Sequence, residues 1–206
     1  TSSHSTLRER WLDADYQARY ALANLSNHEF LGDTLPVAFP NLGPELFAAF
    51  YGCPLHFGES TSWTDPILHD WAEVGPVQFD PASPYLAKLQ EMTDAFLAIG
   101  SGRFITGMTD WHPGGDWLAA LRDPATLAID LITNPDEVQQ MLVRGEVDYL
   151  RVYQVFYDKL RAAGQRNQLP RLPHAAALAV RSVRRDGVMR VHHRKDARPQ
   201  VNGIPL

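Results

Sequence analysis

Residues 109–117, TDWHPGGDW, concentrate side chains that can do chemistry in one short loop. His112 can donate, accept or carry a proton near neutral pH, and Asp110 is close enough along the chain to orient its imidazole. A plain connection needs only a glycine or two, so this density of polar and rigid residues indicates a ligand site. We interpret Asp110 and His112 as candidate catalytic residues and Trp111 as a candidate substrate contact.

The second half of the same loop is suited to backbone recognition. Gly114 and Gly115 let the main chain approach a ligand without side-chain obstruction. A helix is expected to begin directly afterwards, which leaves the first-turn N–H groups, including that of Asp116, free to meet a carboxylate or phosphate. These residues are therefore predicted to bind substrate.

Two other segments contain candidates. Asn41, in FPNLG, follows an apolar run of strand length, and we predict a catalytic position for it. Trp63 and Asp65, in SWTDP, carry an aromatic ring and a carboxylate that could reach a substrate. The competing interpretation is structural, because Asp65 could serve only as a helix N-cap.

Structural roles also compete within the His112 loop. Asp116 could cap the helix that follows, Trp111 and Trp117 could belong to the core, and His112 could be a turn residue whose hydrogen bonds are satisfied within the protein. Cys53, the single cysteine, is interpreted as a small buried hydrophobe.

The segments that must position these residues alternate between helical patterns and short apolar runs. Apolar spacing and end residues predict helices over 7–25, 43–52, 83–100 and 135–163. Residues 35–39 and 103–108 are predicted strands, and 77–79 is a weaker strand candidate. An Asp or Asn precedes each of three further predicted helix starts, after Asp116, Asp123 and Asn134.

This alternation predicts an α/β fold with parallel strands covered by helices. Ligands usually bind at the carboxyl ends of such strands, so the Asn41 and His112 loops are expected to lie near each other. Only two or three such strands fit, and so small a parallel sheet indicates part of a larger architecture.

Composition narrows the function classes. The chain has 206 residues and a formal net charge of −5, which argues against nucleic acid as a partner. A single cysteine excludes an internal disulfide and a cysteine-cluster zinc site within this sequence. We find no signal peptide and no long uncharged apolar run, so we expect a cytoplasmic protein without a membrane partner.

Charge divides the chain into two predicted segments, 1–165 and 166–206. Residues 166–206 contain eight Arg and one Lys against two Asp, a net +7, whereas the remainder has 10 basic and 22 acidic residues, a net −12. Aromatic residues also stop at Tyr157. We predict an irregular basic tail that is not native to the fold, the product of a frameshift or a truncated gene model. The alternative is a genuine basic arm for an acidic partner.

Two long segments bear a family resemblance. PVAFPNLGPELFAAFYGCPLHF, followed by DWHPGGDWLAALRDPATLAIDLITNPDEVQQML, resembles the uroporphyrinogen decarboxylase superfamily, and particularly its divergent members. The resemblance covers approximately residues 7–164. It implies the amino-terminal part of a (β/α)₈ TIM barrel, that is, a partial barrel holding the first few βα units. The family includes porphyrinogen decarboxylases, which use no cofactor, and corrinoid methyltransferases, which use a zinc-activated thiol.

The family's functional residues match only in part. Asn41 stands where true decarboxylases have an Asp that contacts pyrrole N–H groups, and it lacks that negative charge. The family's glycine-rich loop corresponds to 107–115, here changed to include Asp110 and His112. The amino-terminal arginine segment that binds substrate carboxylates has no match, and neither do the methyltransferase zinc ligands. We therefore expect inefficient decarboxylation of uroporphyrinogen itself.

The resemblance implies a lyase acting on a tetrapyrrole or another small carboxylated substrate, without a cofactor or metal. The alternatives are a corrinoid or thiol methyltransferase of the same superfamily, with zinc and corrinoid, and an inactive fragment. The length suggests a chain too short to be active, and a homodimer is expected for the full-length protein.

Overall fold

A computed structural model describes residues 4–165 of the chain. These residues form a helix-rich α/β structure with a few short strands, and they do not close into a barrel. In chain order the elements are α1 (Leu7–Leu12), α2 (Ala14–Ser26), β1 (Val37–Ala38), α3 (Leu46–Ala49), β2 (Leu55–Phe57), β3 (Ser62–Thr64), a 3₁₀ turn (Trp71–Glu73), α4 (Pro84–Gly100), β4 (Ile105–Thr106), α5 (Gly115–Arg122), α6 (Pro124–Thr133) and α7 (Pro135–Ala162).

The two predicted main strands pair in parallel, as expected. Val37 of β1 lies opposite Ile105 of β4, and Ala38 lies opposite Thr106. Helices α2 and α4 pack together, and buried Ala18, Phe96 and Phe104 form a small core with Ala38 packed against it. The alternation of strands and helices therefore produces the predicted local arrangement, although each strand is shorter than expected.

Several helix boundaries are confirmed, whereas two predicted helices are broken or shortened. Helix α4 begins after Ser83 and ends at Gly100, and α7 begins at Pro135, as predicted. The single helix expected over 7–25 is broken at Asp13, whose extended backbone lets its carboxylate cap α2 at the N–H of Tyr16. The helix expected over 43–52 shrinks to α3. Gly43 has φ +100 and packs so tightly on Ser62 that a Cβ would collide with it, so the helix starts later.

The strands β2 and β3 form a β-hairpin that was not predicted from the sequence. Strands β2 and β3 pair antiparallel, with His56 opposite Trp63, and Gly58 N–H donates to the Thr61 carbonyl at 2.8 Å across the turn. Residues 77–79 are not a strand. The carbonyl of Val77 accepts instead from the Arg144 guanidinium, which belongs to α7.

The main core lies between α3, α5 and α7. Its largest fully buried side chains include Phe47, Trp117 and Phe156. Trp117 packs so closely on Gly145 that a Cβ there would overlap the indole, so α7 needs glycine at this point to approach α5. Because α5 starts at the predicted ligand loop, this packing fixes where the loop sits.

The predicted basic tail, 166–206, lies outside the described residues. No helix within 4–165 is long and apolar enough to cross a membrane.

Candidate functional site

The loops that follow β1 and β4 meet beside α3. Gly107 N–H donates to the Ala38 carbonyl at 2.8 Å, which keeps the chain beside β1 as it leaves β4. Farther along, His112 N–H donates to the Pro44 carbonyl at 3.2 Å. The backbone of the His112 loop is thus tied to the start of the α3 region.

His112 lies between two carboxylates. Its Nε2 is 3.6 Å from Asp110 Oδ1, and its Nδ1 is 3.5 Å from Asp116 Oδ2. Both distances are longer than those of well-formed hydrogen bonds, so each ring nitrogen keeps capacity for another partner. The His112 side chain is 41% exposed, and the two aspartates are more exposed still. This arrangement places the imidazole beside two carboxylates and leaves it open to a ligand.

The imidazole forms part of the wall of a pocket of about 510 Å³, a volume within the usual range for small-molecule sites. The pocket combines four polar side chains with small apolar ones: Pro44, Glu45, Thr64, Pro66, His112, Asp116, Ala119, Ala120 and Pro124. It opens between the start of α5, the α3 region and the hairpin. No Lys or Arg is among the described residues that line it.

Glu45 is the most firmly held charge in this wall. Its Oε2 accepts from the backbone N–H of Thr64 at 2.5 Å and from the Thr64 hydroxyl at 2.9 Å. Glu45 occupies the N-cap position of α3, but its side chain reaches the hairpin instead of capping its own helix. Neither Glu45 nor Thr64 was predicted from the sequence as a site residue. The position of Glu45, directly after the Gly-Pro that follows the first strand, was the available signal.

The start of α5 differs from the predicted one. Gly114, with φ +69, takes the N-cap position, so Asp116 lies in the first turn and does not cap the helix as the structural alternative proposed. Leu118 N–H is the first to bond back within the helix, to the Gly114 carbonyl at 3.0 Å. Gly115 is exposed at this helix end, and Asp116 faces the pocket.

Trp111 lies in the core, as its structural alternative held. It is 3% exposed, and its ring packs edge-on against Phe156 and Tyr149, with centroids 5.3 and 6.2 Å away. Burial raises the pKa of the Tyr149 hydroxyl. Trp111 therefore anchors the loop to the core, and it is not among the pocket-lining residues.

The remaining candidates lie outside the pocket wall. Asn41 Oδ1 accepts from Gly43 N–H at 2.7 Å, which forms a tight turn after β1. Asp65 does not cap a helix. Its Oδ2 instead lies 2.7 Å from His56 Nε2. The His56 ring in turn stacks on Trp63, with the ring centroids 5.6 Å apart. His56, Trp63 and Asp65 form an exposed cluster on the hairpin. Asn41 instead stabilises the backbone turn of its own loop.

Cys53 fits its interpretation as a buried hydrophobe. It is 1% exposed, and burial, helped by the negative charges of Glu45 and Asp65, raises the pKa of its thiol to about 12. Such a thiol stays protonated near neutral pH and is a poor nucleophile or metal ligand. Among residues 4–165, no group of three or more His, Cys, Asp or Glu side chains is arranged to hold a metal ion.

Comparisons of this chain with protein-family models, with curated proteins and with solved structures find no match.

Proposed function

We propose that this chain carries part of the active site of a uroporphyrinogen decarboxylase-like lyase, a cofactor-independent enzyme that removes a carboxyl group from a small substrate. The observation behind the proposal is the position of His112, on the wall of a substrate-sized pocket and between the carboxylates of Asp110 and Asp116. In this proposal, β1 and β4 are neighbouring strands of a partial (β/α)₈ barrel.

The strand arrangement supports this assignment. β1 and β4 are parallel, and the loops after their carboxyl ends meet where His112 N–H bonds the Pro44 carbonyl. Enzymes built on parallel barrels carry their chemistry at that end of the strands. Asn41 and Gly114 occupy the same two loops and would shape the approach to the pocket.

The chemistry follows from the imidazole. Protonation of an electron-rich heteroaromatic ring turns it into an electron sink. The bond to the carboxyl carbon can then break, its electron pair flows into the ring, and CO₂ leaves. When the carboxyl group is on the protonated ring carbon itself, the proton takes its place; when it is on a methylene beside the ring, the methylene carbon takes up a proton from water and the ring carbon returns its proton to His112. His112 is the group that can deliver the proton, and Asp110 and Asp116 lie beside its ring. No cofactor or metal takes part in these steps.

The proposal places the protein in the cytoplasm, with a small molecule as its partner and with neither nucleic acid nor a membrane. The substrate is a tetrapyrrole or another small carboxylated molecule. We also propose that the full-length protein is a homodimer.

CO₂ release from a panel of porphyrinogens and pyrrole carboxylic acids tests this function. We expect turnover with at least one compound, and a loss of about 10²-fold or more in kcat for His112→Asn, which cannot carry a proton. The melting temperature of this variant should stay close to that of the wild type. If no compound in the panel loses CO₂, the lyase assignment is wrong and the inactive-fragment alternative takes its place. Methyl transfer to a thiol that depends on added zinc and corrinoid would favour the methyltransferase.

A further inference from the structure

The outer face of α6 carries an exposed apolar stripe, and we infer that two copies of this chain pair through it. The stripe consists of Ala125, Ala128, Ile129 and Ile132. The inference rests on the homodimer that belongs to the proposed function, and it names the surface through which that homodimer forms. It does not depend on the reaction carried out in the pocket.

Helix α6 is polar towards the core and apolar towards the outside. Its two buried residues are Leu127 and Asp130, and Asp130 accepts there from Arg122. Ile129 and Ile132 lie on the opposite side, where they are 62% and 83% exposed. Ile132 is the most exposed of the large hydrophobic residues within 4–165. Because removing such side chains from water is favourable, this face gains free energy when a partner covers it.

The order of residues along the stripe fits a second copy of the same helix. The four residues follow the spacing i, i+3, i+4 and i+7, so they lie on one side of α6. In an antiparallel pair centred between positions 128 and 129, Ala125 lies opposite Ile132 of the second copy. In the same pair, Ala128 lies opposite Ile129 of the second copy. Each large side chain therefore meets a small one, which lets the helices interlock, and a two-fold axis repeats both contacts.

Electrostatics favour this arrangement over another occupant. The only charged residue between Pro124 and Thr133 is the buried Asp130, so no like charges of α6 meet across the pair. Antiparallel helices also place the positive amino end of each helix beside the negative carboxyl end of the other. A membrane surface suits α6 poorly, because helices that lie on membranes carry Lys or Arg along their polar face, and α6 has neither.

The size of the stripe sets the expected affinity. Helix α6 has 10 residues, so it is about 15 Å long. One stripe of this length covers less than the roughly 800 Å² that each partner buries in a stable interface. We therefore expect a reversible dimer with a Kd on the order of 10–100 µM.

Sedimentation velocity of the full 206-residue chain tests the pairing. Between about 1 and 500 µM protein, we expect the sedimentation coefficient to rise from that of a monomer to that of a dimer. Ile129→Lys should weaken the dimer at least about tenfold, because it buries a charge in an apolar contact. Val155→Lys is the matched control: Val155 is 51% exposed on α7, outside the stripe, and its replacement should leave the dimer unchanged. Both substitutions are on the surface, so melting temperatures in dilute solution should stay close to that of the wild type.

Cysteine cross-linking tests the antiparallel register. Chains with Ala125→Cys and chains with Ile132→Cys are mixed and oxidised with diamide, and we expect a disulfide between the two kinds of chain. Each variant alone should cross-link far less, because two copies of the same position lie about 10 Å apart along the helix axis. The native Cys53 is 1% exposed and should not compete.

Three results would overturn the inference: a chain that stays monomeric up to about 500 µM, equal weakening of the dimer by Ile129→Lys and Val155→Lys, or cross-linking of either cysteine variant alone as readily as in the mixture. Binding of the monomer to phosphatidylcholine vesicles, if Ile129→Lys abolishes it, would assign the stripe to a membrane instead.

Failure of the proposed function gives different results. A dimer that survives Ile129→Lys would refute only the α6 surface and leave the homodimer in place. Absence of CO₂ release from every compound of the panel would refute the lyase without changing the sedimentation or the cross-linking.

Discussion

Two charged clusters flank α5, and they are built in opposite ways. At its carboxyl end, Arg122 Nε donates to Asp130 Oδ2 at 2.6 Å, Arg122 Nη1 donates to the Leu68 carbonyl at 3.0 Å, and Asn134 donates to Asp130 Oδ1 at 2.8 Å. At its amino end, His112 has carboxylates at 3.5 and 3.6 Å and no short contact to either. The Arg122 and Asp130 side chains are 8% and 4% exposed, whereas that of His112 is 41% exposed.

We interpret the first cluster as structural and the second as available to a ligand. The buried pair has its hydrogen bonds satisfied by the protein, so it can contribute to the uniqueness of the fold but has little left for a ligand. The His112 cluster is incompletely paired and solvent-accessible, which is a poor way to stabilise a fold and a suitable way to receive a substrate. Mutations should therefore affect stability at one end of α5 and ligand binding or turnover at the other.

The largest effect is expected from breaking the buried pair. Asp130→Ala leaves the Arg122 guanidinium buried without its partner, and the free energy of unfolding should fall by about 3–5 kcal/mol. Urea unfolding followed by tryptophan fluorescence measures this. Replacing both residues together with apolar ones, as in Arg122→Met with Asp130→Leu, should recover most of the loss. A loss below about 1 kcal/mol in Asp130→Ala would mean that the pair is not structural.

Acid should weaken the same pair by a smaller amount, because a protonated carboxyl group still forms hydrogen bonds. The hydrogen bond from Arg122 holds the pKa of Asp130 below its usual range, although burial opposes this shift. The stabilisation is therefore fully present above the unfolded pKa of about 3.9, and it is lost as the pH falls through the lower folded value. Stability measured between about pH 6 and pH 2 should converge for wild type and Asp130→Asn at the acidic end. Parallel curves would contradict the assignment.

An intermediate effect is expected at the junction between loop and helix. Gly114 has φ +69, and no atom of the described residues lies within 4 Å of the position that a Cβ would take there. Gly114→Ala is therefore opposed by backbone strain alone and should cost about 1–3 kcal/mol. Gly115 also has open space around it, but no positive φ, so Gly115→Ala is the matched control and should leave stability unchanged or slightly higher. Equal losses in the two variants would show that the local conformation differs from the one described.

The smallest stability effect is expected at the His112 cluster. Asp110→Asn and Asp116→Asn, singly or together, should change the free energy of unfolding by no more than about 0.5 kcal/mol, because both carboxylates are exposed and loosely paired. The same variants should lower turnover in the CO₂-release assay, because the imidazole loses the groups that orient it. A large loss of stability with unchanged turnover would reverse the comparison between the two clusters.

Local sequence determined much of the scaffold. Ser83-Pro84 starts α4, Gly100 ends it, and Asp123 caps α6 by accepting from Ala125 and Thr126 N–H. The parallel pairing of the strands also followed from the alternation of apolar runs and helical patterns. The helix ends are predictable because each depends on residues within one or two turns of each other, where backbone preference and capping decide the outcome.

The candidate site was only partly visible in the sequence. His112 and Asp116 reach the pocket because they belong to a loop and to the helix start after it, whose position at a strand end could be expected. Trp111, next to His112, turns into the core because α7 offers Phe156 and Tyr149 as packing partners, and these lie far along the chain. The order of residues along a loop does not determine which of two neighbouring side chains faces inward.

Contacts between distant residues were decided by tertiary structure alone. Thr64 binds Glu45 from 19 positions away, and Arg122 reaches the Leu68 carbonyl across 54 positions. The sequence does not predict either partner. A glutamate after Gly-Pro, such as Glu45, is equally suited to a helix start, and an arginine at a helix end, such as Arg122, is usually exposed. Only the packing of α3, α5 and the hairpin brings these groups within hydrogen-bonding distance. The sequence thus determined where a site could form, and the packed structure decided which charges surround it.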